Sequence, residues 1–240
     1  ALLYERTGIQ FLEFNTLYQL LADQRAAPTR LKNAAALLFM PDLFHYWLTG
    51  VRQTEHTIAS TSQMYDPGAG AWAEDIIATL GLPTHILPRI AAPGSPLGPL
   101  LRTVADETGA GPVSVIAPAS HDTASAVAAA PGTGSDWAYI SSGTWSLVGR
   151  ELPAPVRTPA AMAANFTNER GVEGTIRFHK NIAGLWLLQE CQRVWAAQGR
   201  VYSFEQLRDL GLREGVRLEG VAAEAGVPFS ARQDDVFVGA

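Results

Sequence analysis

Pro112-Val113-Ser114-Val115-Ile116-Ala117 leads into Ser120-His121-Asp122-Thr123 and then into the alanine-rich run Ala124 to Ala130. The first six residues are mostly apolar, with β-branched Val113, Val115 and Ile116, which fits a buried strand. The last seven suit a helix. A strand, a polar turn and a helix in that order place reactive side chains at the carboxyl end of a sheet in an α/β protein. An Asp at the mouth of the strand can accept a proton from a hydroxyl while the oxygen attacks an electrophile. The helix beginning there offers free N–H groups and a positive dipole end, which favour an ionised carboxylate and attract an anion. The same Asp would also serve as an N-cap. These residues alone leave both roles open for Asp122, and His121 is equally ambiguous. No further ligands stand at a spacing that would make a metal site.

Downstream, Pro131-Gly132-Thr133-Gly134-Ser135 is the best linker in the chain, and a domain boundary is expected there, between 1–132 and 133–240. Trp137 to Ile140 and Trp145 to Val148 read as two short strands around Ser141-Ser142-Gly143-Thr144, a hairpin. Small hydroxyl residues around a glycine can present donors to phosphate oxygens, and they also make ordinary tight turns. The Walker-type loop, G-x-x-x-x-G-K-[ST], is absent. A strand near 175–178 is expected to precede a long helix from Ile182 to about Gln198, with Gly199 closing it. Asn181 would then be a cap or a ligand. Gln189, eight residues on, would lie roughly 80° around the same axis, so both could border one cleft. Trp186 and Leu187 on that helix are expected in the core. Asn165 and Asn168 could hold a loop or a ligand. A last helix is expected over 203–210.

Upstream, the pattern is helical. Asn15 is placed to cap a run with Leu17, Leu20 and Leu21 at helical spacing. A second run from Thr29 carries Leu31, Ala35 and Leu38 on one side. Pro41 suits the first turn of a third helix, with Leu43, Phe44, Trp47 and Leu48, ending at Gly50. Asp66-Pro67-Gly68 is a turn, and Trp72, Ile76, Ile77 and Leu80 form a further amphipathic face closed by Gly81. The proline- and glycine-rich stretch 82–100 reads as a surface loop.

Composition excludes several classes. With 18 Lys and Arg against 23 Asp and Glu, the formal charge is −5. That is wrong for a protein that binds nucleic acid by neutralising phosphates. At 47% hydrophobic and 17% charged residues the chain is too apolar to be disordered. No stretch nears the ~18 consecutive apolar residues of a membrane span, and the N-terminus does not read as a signal peptide. One cysteine, Cys191, cannot form an intramolecular disulfide, and the cytoplasm is the expected location.

The combination of motifs is more specific than any one of them. Met40 to Gly50 (MPDLFHYWLTG), Thr54 through Thr61, Tyr65-Asp66 and Trp72 form a series that resembles the first domain of the FGGY carbohydrate kinases. Within that family Phe11 to Leu20 (FLEFNTLYQL), Ser120 to Val127 (SHDTASAV), Tyr139 to Leu147 (YISSGTWSL) and Lys180 to Gln189 (KNIAGLWLLQ) are most similar to rhamnulokinase signatures. The resemblance implies a two-domain actin/hexokinase-like (ribonuclease H-like) α/β fold, incomplete here in both domains. It also implies phosphoryl transfer from MgATP to a ketose, L-rhamnulose giving L-rhamnulose 1-phosphate. Asp122 matches the family's general base, with His121 and Thr123 as sugar-contacting neighbours. Gly143 and Thr144 match the nucleotide-phosphate hairpin, and Asn181 and Gln189 further nucleotide-side positions. Another FGGY substrate (xylulose, fuculose or glycerol) or a non-catalytic sugar- or nucleotide-binding chain is the alternative.

Two family elements are not found. No D-x-G-x-x-[ST] phosphate-gripping motif stands before Tyr4 or elsewhere, and no late glycine-rich adenine-site element precedes Ala240. The chain is therefore read as the second half of a first kinase domain and the first part of a second. On that reading the 240 residues by themselves are expected to show no sugar-dependent ATP turnover. Strands would present unpaired edges and helices apolar faces, which copies of the chain in a homo-oligomer or other segments would cover.

Overall fold

The computed structural model describes every residue except Thr133, Ser135, Thr144 and 214–240. The described chain divides into two units. One takes residues 1–141 and 146–182, and the other takes 142–145 and the residues from 183 onward.

The first unit begins with α1 (Leu2–Thr7), α2 (Thr16–Ala26) and α3 (Pro28–Asn33). Asn15 precedes α2 as expected. Its amide does not cap the helix, however, and donates instead to the carbonyl of Gln10 (2.9 Å) and to Oε1 of Gln63 (3.1 Å). Leu17, Leu20 and Leu31 are buried with Met64, Ile77, Leu82 and Ile86 in an apolar cluster. The α3 helix stops at Asn33, short of the Ala35 and Leu38 that its periodicity suggested, and the chain continues extended.

The α4 helix (Met40–Thr49) ends at Gly50, which takes the left-handed conformation, φ 74°. Its buried residue is Asp42, whereas Phe44 and Trp47 lie on the exposed side, one edge-on to the other. Next come β1 (Gln53–Glu55), α5 (His56–Ser60), β2 (Tyr65–Asp66), β3 (Ala71–Trp72) and α6 (Glu74–Thr79).

The stretch 82–100 is not simply a loop. It holds β4 (Arg89–Ala91), parallel to β1, and β5 (Pro96–Pro99), antiparallel to β6 (Ser114–Ile116) beyond α7 (Arg102–Thr108). Backbone pairing across the chain, which no local pattern announces, makes these strands. The expected buried strand is β6, but Val113 and Ile116 are exposed. Its one strand partner among the described residues is β5, so its other edge is not paired by a described strand.

After α8 (Asp122–Ala128), a four-stranded sheet in the order β7-β8-β10-β9 is formed by β7 (Tyr139–Ser142), β8 (Ser146–Leu152), β9 (Phe166–Arg170) and β10 (Ile176–Ile182). The short α9 (Pro159–Ala163) precedes β9. The β10 strand pairs antiparallel with both β8 and β9, with Gly149 opposite His179. A Cβ on Gly149 would run into the His179 side chain and stand 2.7 Å from the Phe178 carbonyl, so this position is left to glycine. Gly8 meets a similar demand. Its φ is 68°, and its carbonyl accepts both the backbone N–H and the side-chain amide of Asn168, each at 3.0 Å. Asn168 is thus a buried clamp, its Oδ1 also taking the Val156 N–H at 2.7 Å.

In the second unit, α10 (Trp186–Ala197) is followed by α11 (Phe204–Arg213). The expected helix start at Ile182 is corrected: residues through Ile182 continue β10, and Gly184, φ 53°, stands between strand and helix. Trp186 and Leu187 are exposed, not core.

Candidate active site

The turn 118–123 hangs from a buried carboxylate on another segment. Glu55 ends β1 and caps α5, accepting the N–H groups of Thr57 (2.9 Å) and Ile58 (3.4 Å) and the hydroxyl of Thr57. Its Oε2 also accepts the N–H of Ser120 at 3.0 Å, while Oγ1 of Thr57 accepts the N–H of His121 at 3.1 Å. Asp42, from α4, in turn accepts the Glu55 N–H at 3.1 Å. Burial pushes the Asp42 carboxyl up to about 6, despite the bonds it accepts.

This scaffold presents His121, Asp122 and Thr123 together. Asp122 is the first residue of α8 and not its N-cap, a position that falls to His121. The Asp122 side chain is 97% exposed. Its Oδ1 accepts the Thr123 N–H (2.7 Å) and the Thr123 hydroxyl (3.4 Å), and it faces Nδ1 of His121 at 3.0 Å. No bond from a described residue falls on Oδ2. Desolvation by its own turn raises the Asp122 carboxyl, but the Thr123 N–H and the neighbouring imidazole outweigh that, so it lies below the ordinary carboxylate range.

On its far side, His121 places Nε2 3.1 Å from Oε2 of Glu169 in β9. The same oxygen accepts from Nη2 of the fully buried Arg177 at 2.7 Å, and Oε1 lies 3.5 Å from Nε2 of buried His179. Burial pushes the Glu169 carboxyl up, yet His179, Arg177 and His121 together hold it well below its usual value. Behind His179 stands Tyr139, whose hydroxyl is 3.2 Å from Nδ1. Glu55, Thr57, Glu169, Arg177 and His179 received no role from the sequence. Thr54 to Thr61 signalled only likeness, and Glu169 is one polar letter in a strand whose partners lie far along the chain.

The expected nucleotide-side residues fall in both units. Asn181 lies in β10 opposite Leu147, not at a helix cap, and donates to Oε1 of Gln10 at 3.0 Å. The helical angle between Asn181 and Gln189 therefore does not apply. In the second unit, Gly143 and Gln189 meet through one residue. The Gly143 carbonyl accepts the Leu185 N–H, and the Gln189 N–H donates to the Leu185 carbonyl, both at 2.9 Å. Thr144 lies outside the described residues.

The fold is that of a sugar kinase. Xylulose kinase from Lactobacillus acidophilus superposes with a TM-score of 0.75 at 17% identity, over 88% of this chain and 42% of that one. A carbohydrate kinase from Novosphingobium aromaticivorans gives 0.64 at 27% identity, over 75% of this chain and 40% of that one. The models of the FGGY family of carbohydrate kinases match residues 1–129 for the N-terminal domain and 138–227 for the C-terminal domain. The chain belongs to the FGGY family of carbohydrate kinases. The rhamnulokinase of Bacteroides thetaiotaomicron is 47% identical over 192 residues, 80% of this chain and 40% of that protein. That of Pectobacterium carotovorum is 46% identical over 209 residues, 87% of this chain and 39% of that protein. The chain thus spans about two fifths of the length of these curated relatives. Among the described residues, no helix is long and apolar enough to cross a membrane.

Proposed function

We propose that this chain is part of an ATP-dependent ketose kinase that converts L-rhamnulose to L-rhamnulose 1-phosphate, with Asp122 as the general base. The observation that carries this reading is the asymmetry of the Asp122 carboxylate, with Oδ1 tied into its turn and Oδ2 turned to solvent. Oδ2 takes the proton from a sugar hydroxyl as the hydroxyl oxygen attacks the γ-phosphorus of ATP. The bond to the leaving ADP oxygen breaks in line, and ADP carries away the electron pair. Such transfer needs positioning and charge neutralisation more than covalent chemistry from the protein. Thr123 and the exposed edge of His121 flank the sugar. Gly143 and Thr144, with Asn181 and Gln189, serve the nucleotide.

Rhamnulose is favoured over xylulose, fuculose or glycerol by the 46–48% identity to proteins named rhamnulokinase. The likeness to xylulose kinase structures speaks for the fold alone. Mg²⁺ enters with ATP as part of the substrate, held by phosphates and water. The described residues offer no group of three or more His, Cys, Asp or Glu suited to a metal ion, so no step is assigned to a protein-held one. On this reading residues 1–132 belong to the first kinase domain and 133–240 to the second; the family matches over 1–129 and 138–227 support that division. ATP as phosphate donor fits a cytoplasmic location, as does the free Cys191.

The test is a coupled assay with a panel of ketoses and glycerol on the protein expressed from the whole reading frame. Asp122→Asn should lower transfer by about 10²–10⁴-fold, the usual contribution of a positioned base. Nucleotide binding should stay within about threefold, because Asp122 meets the sugar and not the nucleotide. Activity near wild type in that variant would remove Asp122 as the base.

A further inference from the structure

Between Asp122 and the interior stands one imidazole with a carboxylate on each side. Nδ1 of His121 faces Oδ1 of Asp122 at 3.0 Å, and Nε2 faces Oε2 of Glu169 at 3.1 Å. Asp122 is 97% exposed at its side chain, whereas Glu169 is 12% exposed and the His121 ring 20%. The inner carboxylate is fixed by the strand register that sets β9 against β10 and by the Arg177 bond. The outer one has only its own turn. An imidazole held at one nitrogen has its orientation, and so the aim of the other nitrogen, set by that bond.

We infer that Glu169 is a positioning residue for phosphoryl transfer: by holding Nε2 of His121 it sets Nδ1 against Oδ1 of Asp122 and leaves Oδ2 to the sugar hydroxyl. The inference rests on Asp122 serving as the base. Glu169 touches neither sugar nor phosphate and acts through His121. Other charged groups also face this ring or its turn. Glu55, at the end of β1, binds the Ser120 N–H, and His56 lies 3.8 Å from Glu55. Arg177 and His179 in β10 bind the far carboxylate, and Glu173 sits in the 3₁₀ turn at 172–174 beside α8. None of these reaches Nε2 as Glu169 does.

Glu169→Gln in the protein from the whole reading frame keeps the side-chain shape and removes the anion. It should lower kcat about 10- to 100-fold, the part of a general base's effect that depends on its aim. KM for sugar and for ATP should move less than about threefold, since no contact to either is lost. In a His121→Asn background the same substitution should change kcat less than about twofold, because its route is already cut. Equal losses in both backgrounds would overturn the inference.

A second measurement needs no variant. ¹⁵N NMR of the wild-type His121 ring should find Nε2 protonated throughout the active pH range, and a bare Nε2 would overturn the inference even if Glu169→Gln fails to fold. The base assignment is tested apart from this. If Asp122→Asn retains turnover, both ideas fall. If it abolishes turnover while Glu169→Gln leaves kcat unchanged, only the role of Glu169 falls.

Discussion

The first unit has two interiors of different kinds. Under α2, α3 and α6 lies an apolar cluster of leucines, isoleucines and Met64. Beneath the 118–123 turn lies a polar interior in which Asp42, Glu55, Thr57, Glu169, Arg177 and His179 are buried. The apolar cluster is held by area removed from water, which is non-directional and tolerant of small shifts. The polar interior is held by bonds of fixed geometry, and each buried group there has a cost if its partner is lost. A soft interior suits a scaffold, and a directional one suits a turn whose carboxylate must be aimed. Conformational freedom is removed around the turn that carries Asp122.

The largest effect that tests this contrast comes from breaking the polar interior. Arg177→Ala leaves the buried Glu169 carboxylate without its 2.7 Å partner. Removing one member of a buried pair typically costs about 3–5 kcal/mol. Urea denaturation should show that loss, and a Glu169→Leu, Arg177→Met double variant should recover much of it. If the single and double variants are equally unstable, the interior is held by shape and not by charge pairing.

The same contrast explains what could be read from the sequence. Leu17, Leu20 and Leu31 announce themselves by helical spacing, and all three are buried. Gly50 ends its helix for a local reason that the sequence carries. The Asp122 turn stood out because strand, turn and helix follow one another along the chain. Glu169 did not, because its meaning depends on His121, Arg177 and His179. Those meet it through the β9–β10 register and the docking of α8, which no local periodicity encodes. Asn181 was misplaced for a similar reason. The pairing of β10 with β8 extends the strand through Ile182, where local propensity had a helix begin. Phe44 and Trp47 show the converse: helical spacing marked an apolar face, but what covers such a face is not a local property.

A substitution in the apolar cluster should cost somewhat less and spare the site. Leu17→Ala removes a side chain that is almost wholly buried in α2. Truncations of this kind cost about 2–5 kcal/mol, depending on how far the cavity closes. The loss should appear in denaturation, while kcat per folded molecule of the protein from the whole reading frame stays unchanged. A fall in kcat at full folding would mean that the two interiors are mechanically coupled.

The smallest effect is in pH dependence, where the buried carboxylates Asp42 and Glu169 have opposite signs. Glu169 is held well below its usual value, so its stabilisation is present above about 4.5 and is lost as the pH falls through its lowered folded value. Asp42 is raised from 3.8 to about 6, because burial outweighs the N–H bonds it accepts, and its Oδ2 is buried without a partner. Its contribution is fully present below 3.8 and is lost as the pH rises through about 6. Between pH 7 and pH 5 Asp42 alone should therefore add about 1 kcal/mol of stability, while Glu169 remains ionised and contributes no slope. Asp42→Asn carries no titrating proton and should flatten that part of the curve, with the Glu55 N–H still satisfied by the amide oxygen. Urea midpoints measured at pH 5, 6 and 7 read the difference directly. If the variant keeps the wild-type slope, the titration belongs to another group, and Asp42 stays ionised in its buried place down to pH 5.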